Sequence, residues 1–408
     1  MKKTAAVIPA FLMLCGMTLA AGPSEHPLAT LDEMLAYAAA SHPAIKAAAA
    51  EYEAEAAKIV QAGALPDPTA SLQAATMEKR IGIGVSQMFT LAGRRELRTS
   101  SAGENALAAQ RRVDAVALDI AHRVISAYAE LVYIVRAQER VAKNLDLVRQ
   151  LEQVTLARYR TGEALYADVV RAMIETGRTE DELRSLRDVE GAAVGRLNAA
   201  MGRTVKAPLP LPDILPAVEF DLDEGALLAA IAANNPELKM LEHRTAAARY
   251  DLELTRRNRT PDLMVGIELM YSGSMNKPGV GGMVGINIPI RRDRRDAEIR
   301  EAVARVTAAE AMELDIERGL EADIRMALFQ FHDARRKAEL YEIRLLPQSE
   351  QSLAAMLAAY RSGTAPFGEL TDAARLVLEF HLALDRARTD QLQLLARLEM
   401  LTGKNLRR

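Results

Sequence analysis

The chain has 408 residues, with 52 basic side chains against 55 acidic ones spread evenly along it, and a formal charge of -3. That balance excludes the basic footprint of a nucleic-acid binder. Alanine occurs 73 times, while Phe and Tyr number 7 and 10 and Trp is absent, which excludes a ring-packed globular core and points to long, closely approaching helices. In chain order, residues 1–21 read as a secretory leader: Lys2 and Lys3 give a positive start, Ala5 to Leu19 an apolar run, and Ala20, Ala21 and Gly22 the small residues of a cleavage point. The single cysteine, Cys15, lies inside this leader, so thiol chemistry and disulfides are not expected of the mature chain. Lipid attachment at Cys15 is disfavoured by Leu14, which stands where a small residue would be needed. Losing Lys2 and Lys3 moves the formal charge from -3 to 50 - 55 = -5. No other segment offers about 18 consecutive apolar residues, so a membrane role has to come from strands.

Residues 22–203 form a first repeat, a proline-rich strap follows at 204–220, and residues 221–408 form a second repeat. In the first, strands are expected near 65–77 and 81–91, turning around Glu78, Lys79 and Arg80. From Arg94 to Tyr159 there is no proline, and a helix of that length would span about 100 Å. Val113, Val116, Ile120, Val124, Ala127, Leu131, Ile134, Val141, Leu145 and Val148 keep a spacing near 3.5 along it, with Gln138 as the one polar member, which is a coiled-coil seam. The strap contains Pro208, Pro210, Pro212 and Pro216, a density that neither a helix nor a central strand accommodates. In the second repeat no alanine occurs from Arg249 to Asp296. Within that window Leu263, Val265, Ile267, Leu269 and Tyr271 alternate with Asp262, Met264, Gly266, Glu268 and Met270, the period-two pattern of a strand with two unlike faces. Strands are expected near 261–271 and 280–290, joined by SGSMNKPG. The long helix that follows, from about Arg295, should kink or end at Pro347.

The two repeats align residue by residue. ARYRTGEALYADVVRA, around Tyr159, matches AAYRSGTAPFGELTDA, around Tyr360, at an offset of 201, and GRLNAAMGR matches ARLEMLTGK at the same offset. SHPAIK and NNPELK, at Pro43 and Pro236, pair upstream, as do LPDP and TPDL. Each repeat thus reads helix, two strands, long helix, second helix, giving a mainly α chain with a small β part. Four strands cannot close a barrel, and an apolar hairpin edge suits neither water nor lipid. Either the hairpins pack in a soluble sheet or several protomers pool their strands, and the leader and the two-faced alternation favour pooling.

The duplicated order, the VSQMFTLAGRRELR segment after the second strand, and the twin YRTGEALYADV and YRSGTAPFGEL segments resemble the TolC-type outer-membrane efflux proteins over nearly the whole mature chain. The resemblance implies a homotrimer in the outer membrane of a Gram-negative bacterium, four strands per protomer in one twelve-stranded barrel, and a helical tunnel reaching into the periplasm. It further implies a passive exit duct, docked to a periplasmic adaptor and an inner-membrane pump of the RND type, with outer-membrane lipid around the barrel and no enzymatic step. LAGRR and MYSGSM look similar to the heavy-metal branch, tilting the cargo towards metal cations. The competing interpretation is a periplasmic coiled-coil adaptor or scaffold that forms no barrel.

Under this resemblance the adaptor-contact tips are Gly162, Glu163, Ala164 and Leu165 with Gly363, Thr364, Ala365 and Pro366, where glycine permits a sharp reversal between helices. The periplasmic gate falls on Asp168, Glu369 and Asp372, with Arg171 opposite Asp372; three protomers would crowd these carboxylates so that they repel and favour cations. Arg94, Arg95, Arg291, Arg292, Arg294 and Arg295 mark the strand-to-helix transitions and are expected to meet solvent, headgroups or nearby carboxylates. No catalytic set, cofactor motif or metal-ligand spacing is found among His26, His42, His122, His243, His332 and His381. Met264, Met270, Met275 and Met283 cluster in the second hairpin, where thioethers could bind Cu(I), but flexible apolar filling is the preferred reading. Aromatic girdles are weak, with Phe89 and Tyr271 among few rings in the hairpins.

Overall fold

Residues 28–75, 80–212, 215, 223–272 and 277–406 are described by a computed structural model. The leader, His26, Glu78, Lys79, Pro216 and Met275 lie outside the described residues. Thr30 opens the helical part with a reciprocal cap: its hydroxyl accepts from the Glu33 N–H while the Glu33 carboxylate accepts from the Thr30 N–H, fixing the start of α1 (Leu31–Ser41). Pro43 takes the first position of α2 (Pro43–Gly63), where no N–H is needed, and Pro236 does the same for α6 (Pro236–Arg257) after α5 (Glu224–Asn234). Between these lie β1 (Thr69–Ala75), β2 (Arg80–Phe89), α3 (Arg94–Arg160) and α4 (Tyr166–Ala200). After α6 come β3 (Leu263–Ser272), β4 (Lys277–Ile286), α7 (Arg292–Leu340), a π turn at Tyr341–Leu345, α8 (Leu346–Arg361) and α9 (Phe367–Thr402).

The strands form one antiparallel sheet in the order β1-β2-β3-β4, so the two hairpins meet along β2 and β3. They are shorter than the alternation suggests. β1 starts at Thr69 because Pro66 and Pro68 have no N–H to offer a ladder, and β4 stops at Ile286, opposite Leu263 at the start of β3, with Pro289 unable to extend it. Alternation itself is kept: Ile81, Ile83 and Val85 of β2, Val265, Ile267 and Leu269 of β3 and Val280 and Val284 of β4 share one exposed apolar face.

Where β2 becomes α3 the backbone turns through two left-handed residues, Ala92 (φ 61°) and Gly93 (φ 67°). Arg257 holds the turn by donating to the Ala92 carbonyl at 3.0 Å. Of the three settings expected for these arginines, Arg94 takes the carboxylate: it is buried and paired with Asp262 at the base of β3, joining the two copies. The other cations behave as surface charges, as Arg294 does with Glu298 one turn on at 2.8 Å.

α3 packs along α2, α4, α6 and α9. Its seam from Ile120 to Val148 is buried, and Gln138 is satisfied by donating to the Leu186 carbonyl and to Glu190 of α4, at 3.2 and 2.8 Å. One core unites Met34, Ile120, Val124, Leu131, Leu197 and Leu392 from α1, α3, α4 and α9, and a second unites Ile231, Ile324, Phe331, Leu395 and Leu398 from α5, α7 and α9. The break in copy two falls before Pro347: the π turn absorbs one extra residue, and Pro347 then sits in the first turn of α8, where its missing N–H costs nothing. Among the described residues no helix is long and apolar enough to cross a membrane.

Candidate functional site

Both helical hairpins reverse through the same hydrogen-bond pattern. In the first, Gly162 (φ 80°) donates to the Tyr159 carbonyl at 3.0 Å and Glu163 to the Arg158 carbonyl at 2.8 Å. In the second, Gly363 (φ 81°) donates to the Tyr360 carbonyl at 3.1 Å and Thr364 to the Ala359 carbonyl at 2.9 Å. These are paired Schellman caps, which satisfy the last carbonyls of α3 and α8 and require a left-handed residue. A Cβ on Gly162 would meet nothing within 4 Å, so this glycine is required by its backbone angle and not by crowding. Pro366 then caps α9 with the extended backbone (ψ 154°) that proline adopts readily, and exposed Leu165 does the same for α4 (ψ 149°).

The two tips are tied together. Arg158 of α3 donates to the Tyr360 carbonyl of α8, and its guanidinium stands 4.8 Å from the centre of the Tyr360 ring. The Tyr360 hydroxyl lies 2.8 Å from the hydroxyl of fully buried Thr155. Thr155 already donates its only hydroxyl hydrogen to the Leu151 carbonyl at 2.8 Å, so Tyr360 is the donor in that pair. Behind it Leu151, Ala172, Tyr360, Phe367 and Leu370 form a small core drawn from both copies. The equivalent rings of copy one, Tyr159 and Tyr166, contact each other at 5.7 Å but are 43% and 64% exposed, so one tip's aromatic pair is buried within the protomer and the other faces out.

The three expected gate carboxylates lie just past these tips. Asp168 is in the first turn of α4 and Glu369 in the first turn of α9, where the helix dipole favours negative charge. Asp372, one turn further, is 75% exposed at its side chain and 3.6 Å from Arg375. Arg171 lies across from this turn: its guanidinium would be 3.6 Å from a Cβ on Gly368, beside Glu369. Sequence reasoning missed the neighbouring pair, Glu175 with Arg375. Arg375 of α9 donates through two nitrogens to the buried Glu175 carboxylate of α4, which is thereby held below the usual carboxylate range. The usable signal was the offset of 200 between them, one short of the repeat spacing.

That pair has a signed consequence. A depressed folded pKa stabilises the α4–α9 seam at pH values above the ordinary 4.5, and the contribution disappears as pH falls through the depressed value. Glu175→Gln is therefore expected to loosen the seam at neutral pH by about 1–2 kcal/mol, the half-exposed Arg375 recovering part of its hydration. Thermal unfolding compared at pH 7 and pH 3.5 checks this: the difference between wild type and variant should shrink in acid.

His42 caps α2 by accepting from the Ala44 N–H at 3.1 Å, and burial pushes His122 and His381 below the ordinary imidazole value. Among the described residues no group of three or more His, Cys, Asp or Glu is placed to hold a metal ion.

The sequence model of the outer membrane efflux protein family matches residues 227–404, the second repeat. The cobalt-zinc-cadmium resistance protein CzcC of Cupriavidus metallidurans is 25% identical over 378 residues, covering 88% of this chain and 85% of that one. The second repeat thus carries the sequence pattern of the outer membrane efflux protein family, and nearly the whole chain is similar to a metal-resistance protein. Two solved outer-membrane proteins share the fold of this chain across both repeats. OprN superposes with a TM-score of 0.81 at 19% identity, over 92% of this chain and 90% of its own. VceC of Vibrio cholerae does so with 0.79 at 18% identity, over 92% and 96%. In this fold the four-stranded sheet has β1 and β4 at its edges, and an open apolar sheet of that kind calls for a partner along those edges.

Proposed function

We propose that this chain is the passive exit duct of a tripartite pump for heavy-metal cations, its four strands forming one third of a trimeric outer-membrane barrel and its long helices a periplasmic tunnel. Substrate arrives from an inner-membrane transporter of the RND type through a periplasmic adaptor, and the adaptor docks on the tips at Gly162, Glu163, Ala164 and Leu165 and at Gly363, Thr364, Ala365 and Pro366. Asp168, Glu369 and Asp372 line the periplasmic entrance of the homotrimer and form its gate. The observation that carries this reading is the juxtaposition of two identical left-handed caps, locked by Arg158 and Tyr360, with acidic first turns directly beside them. The chain divides into the repeats 22–203 and 221–408, interleaved around α3 and α9 and not separately folded, with 1–21 as leader. The likeness to a cobalt-zinc-cadmium resistance protein supports the cargo class.

Three protomers bring Glu369 and Asp372 together as six carboxylates, and Arg375 offsets them only in part, since two of its nitrogens are committed to Glu175. The ring favours cations and binds divalent ions. Glu369→Ala combined with Asp372→Ala is expected to raise single-channel conductance in planar bilayers and to weaken block by divalent cations. A double variant that conducts and blocks like wild type would place the gate elsewhere. Deletion of the gene should sensitise cells to divalent heavy metals more than to dyes or antibiotics; the opposite ranking would overturn the cargo class.

A further inference from the structure

The sheet register places on one face what the sequence left scattered. Taking β2, β3 and β4 across, Met88 stands opposite Met264 and Met264 opposite Gly285; Ser86 opposite Gly266 and Gly266 opposite Met283; Gly84 opposite Glu268 and Glu268 opposite Gly281; Gly82 opposite Met270 and Met270 opposite Gly279. The other face carries Ile83, Val85, Ile267, Leu269 and Val284, all exposed and apolar, and is the one suited to lipid. Met88, Met264, Met270, Met283 and Glu268 therefore face the lumen.

Met264, Met270 and Glu268 each lie over a glycine. A Cβ on Gly285 would be 3.0 Å from the Met264 methyl carbon and one on Gly281 would be 3.2 Å from that of Met270, while the Glu268 carboxylate occupies the space above Gly82 that any side chain would need. The glycines thus let long side chains fold down along the wall. Apolar filling fails to account for this arrangement, because filling requires a packed core and the lumen of an exit duct is open to water. Thioethers are poor hydrogen-bond partners for that water but good ligands for soft cations. Glu268 is the only ionisable side chain in these four rows of β2, β3 and β4 and supplies the counter-charge. Four methionines per chain make twelve thioethers in a trimer, stacked along the exit path.

We infer that this face is a multisite, low-affinity path for soft cations such as Ag(I) and Cu(I), held by the thioethers of Met88, Met264, Met270 and Met283 with Glu268 as counter-ion. Weak binding at several adjacent sites is what conduction demands, since a single tight site would trap the ion. The inference rests on the barrel and cation cargo proposed above and extends them to the barrel lumen and to soft ions.

Purified trimer in planar bilayers bathed in sodium nitrate, titrated with silver nitrate alone, tests it. The wild type should be blocked at an Ag(I) concentration at least about tenfold below that needed for the variant with Met88, Met264, Met270 and Met283 all changed to leucine, equivalent to about 1.4 kcal/mol. Zn(II) should act equally on both, and Glu268→Gln should weaken Ag(I) block while leaving the thioethers in place. Should the quadruple variant give no channels, the pairs Met88→Leu/Met264→Leu and Met270→Leu/Met283→Leu are each expected to raise the blocking concentration. Silver block that is equal in wild type and both pairs, or absent from a conducting wild type, overturns the luminal path while leaving the duct intact. A wild type that forms no conducting channel overturns the duct and the path together.

Discussion

Cells carrying Gly162→Val together with Gly363→Val are expected to lose metal resistance down to the level of a deletion strain, while the protein is still recovered from the outer membrane as a trimer. Both glycines sit at φ near 80°, which a β-branched residue reaches only at about 1–3 kcal/mol each. Neither change fills a core. A Cβ at Gly162 meets open space, and one at Gly363 meets only the movable end of Arg158 at 3.2 Å. The strain is relieved locally by rewriting the two caps, which moves Glu163 to Leu165 and Thr364 to Pro366 away from the adaptor. Assembly survives because the sheet lies at the far end of α3, a helix about 100 Å long, and the large cores of α1 to α9 do not include the tips. Asn is tolerated in the left-handed region, so Gly162→Asn should keep much of the resistance that Gly162→Val loses. Unchanged resistance in the double valine variant, measured beside trimer abundance, would remove the tips from the adaptor interface.

How much of this was legible in the sequence depends on whether a feature is local or shared between repeats. The glycines of the tips were legible because a left-handed cap is encoded by one residue and its immediate neighbours. The seam of α3 was legible because Ile120 to Val148 report a single period, and the two-faced hairpin because Leu263 to Tyr271 alternate cleanly. Strand limits were less so: Pro66, Pro68 and Pro289 were visible, yet which residue closes the ladder depends on the partner strand. That Arg94 meets a carboxylate was one of the settings open in the sequence, but which one was not legible, since nothing near it in the chain announces Asp262, 168 residues later. Glu175 with Arg375, and Thr155 with Arg158 and Tyr360, were missed for the same reason. They join the copies through residues that the alignment of repeats does not pair, so similarity between the copies hides them. The methionines were visible but their common face was not, because Met88 belongs to the other hairpin and only the β2–β3 register brings it opposite Met264.

The asymmetry between copies decides where the tunnel should open. At the repeat offset of 201, Thr155 corresponds to Met356 and Arg158 to Ala359, so copy two has neither the hydroxyl nor the guanidinium with which copy one locks Tyr360. Opening of a trimer is then resisted by three such locks, one per chain. Tyr360→Phe removes one hydrogen bond, about 0.5–1.5 kcal/mol, and leaves Thr155 still bonded to Leu151. Arg158→Ala removes a charge-assisted bond to the Tyr360 carbonyl and the ring contact, about 2–3 kcal/mol together. The double variant is expected to shift a closed-to-open equilibrium by about a hundredfold per protomer, since each 1.4 kcal/mol is about tenfold. Single-channel conductance should rise several-fold over wild type without any adaptor present. Because both residues act on one lock, a double-mutant cycle should show coupling between Arg158 and Tyr360. Wild-type conductance in the double variant would mean that the lock holds the fold and not the gate.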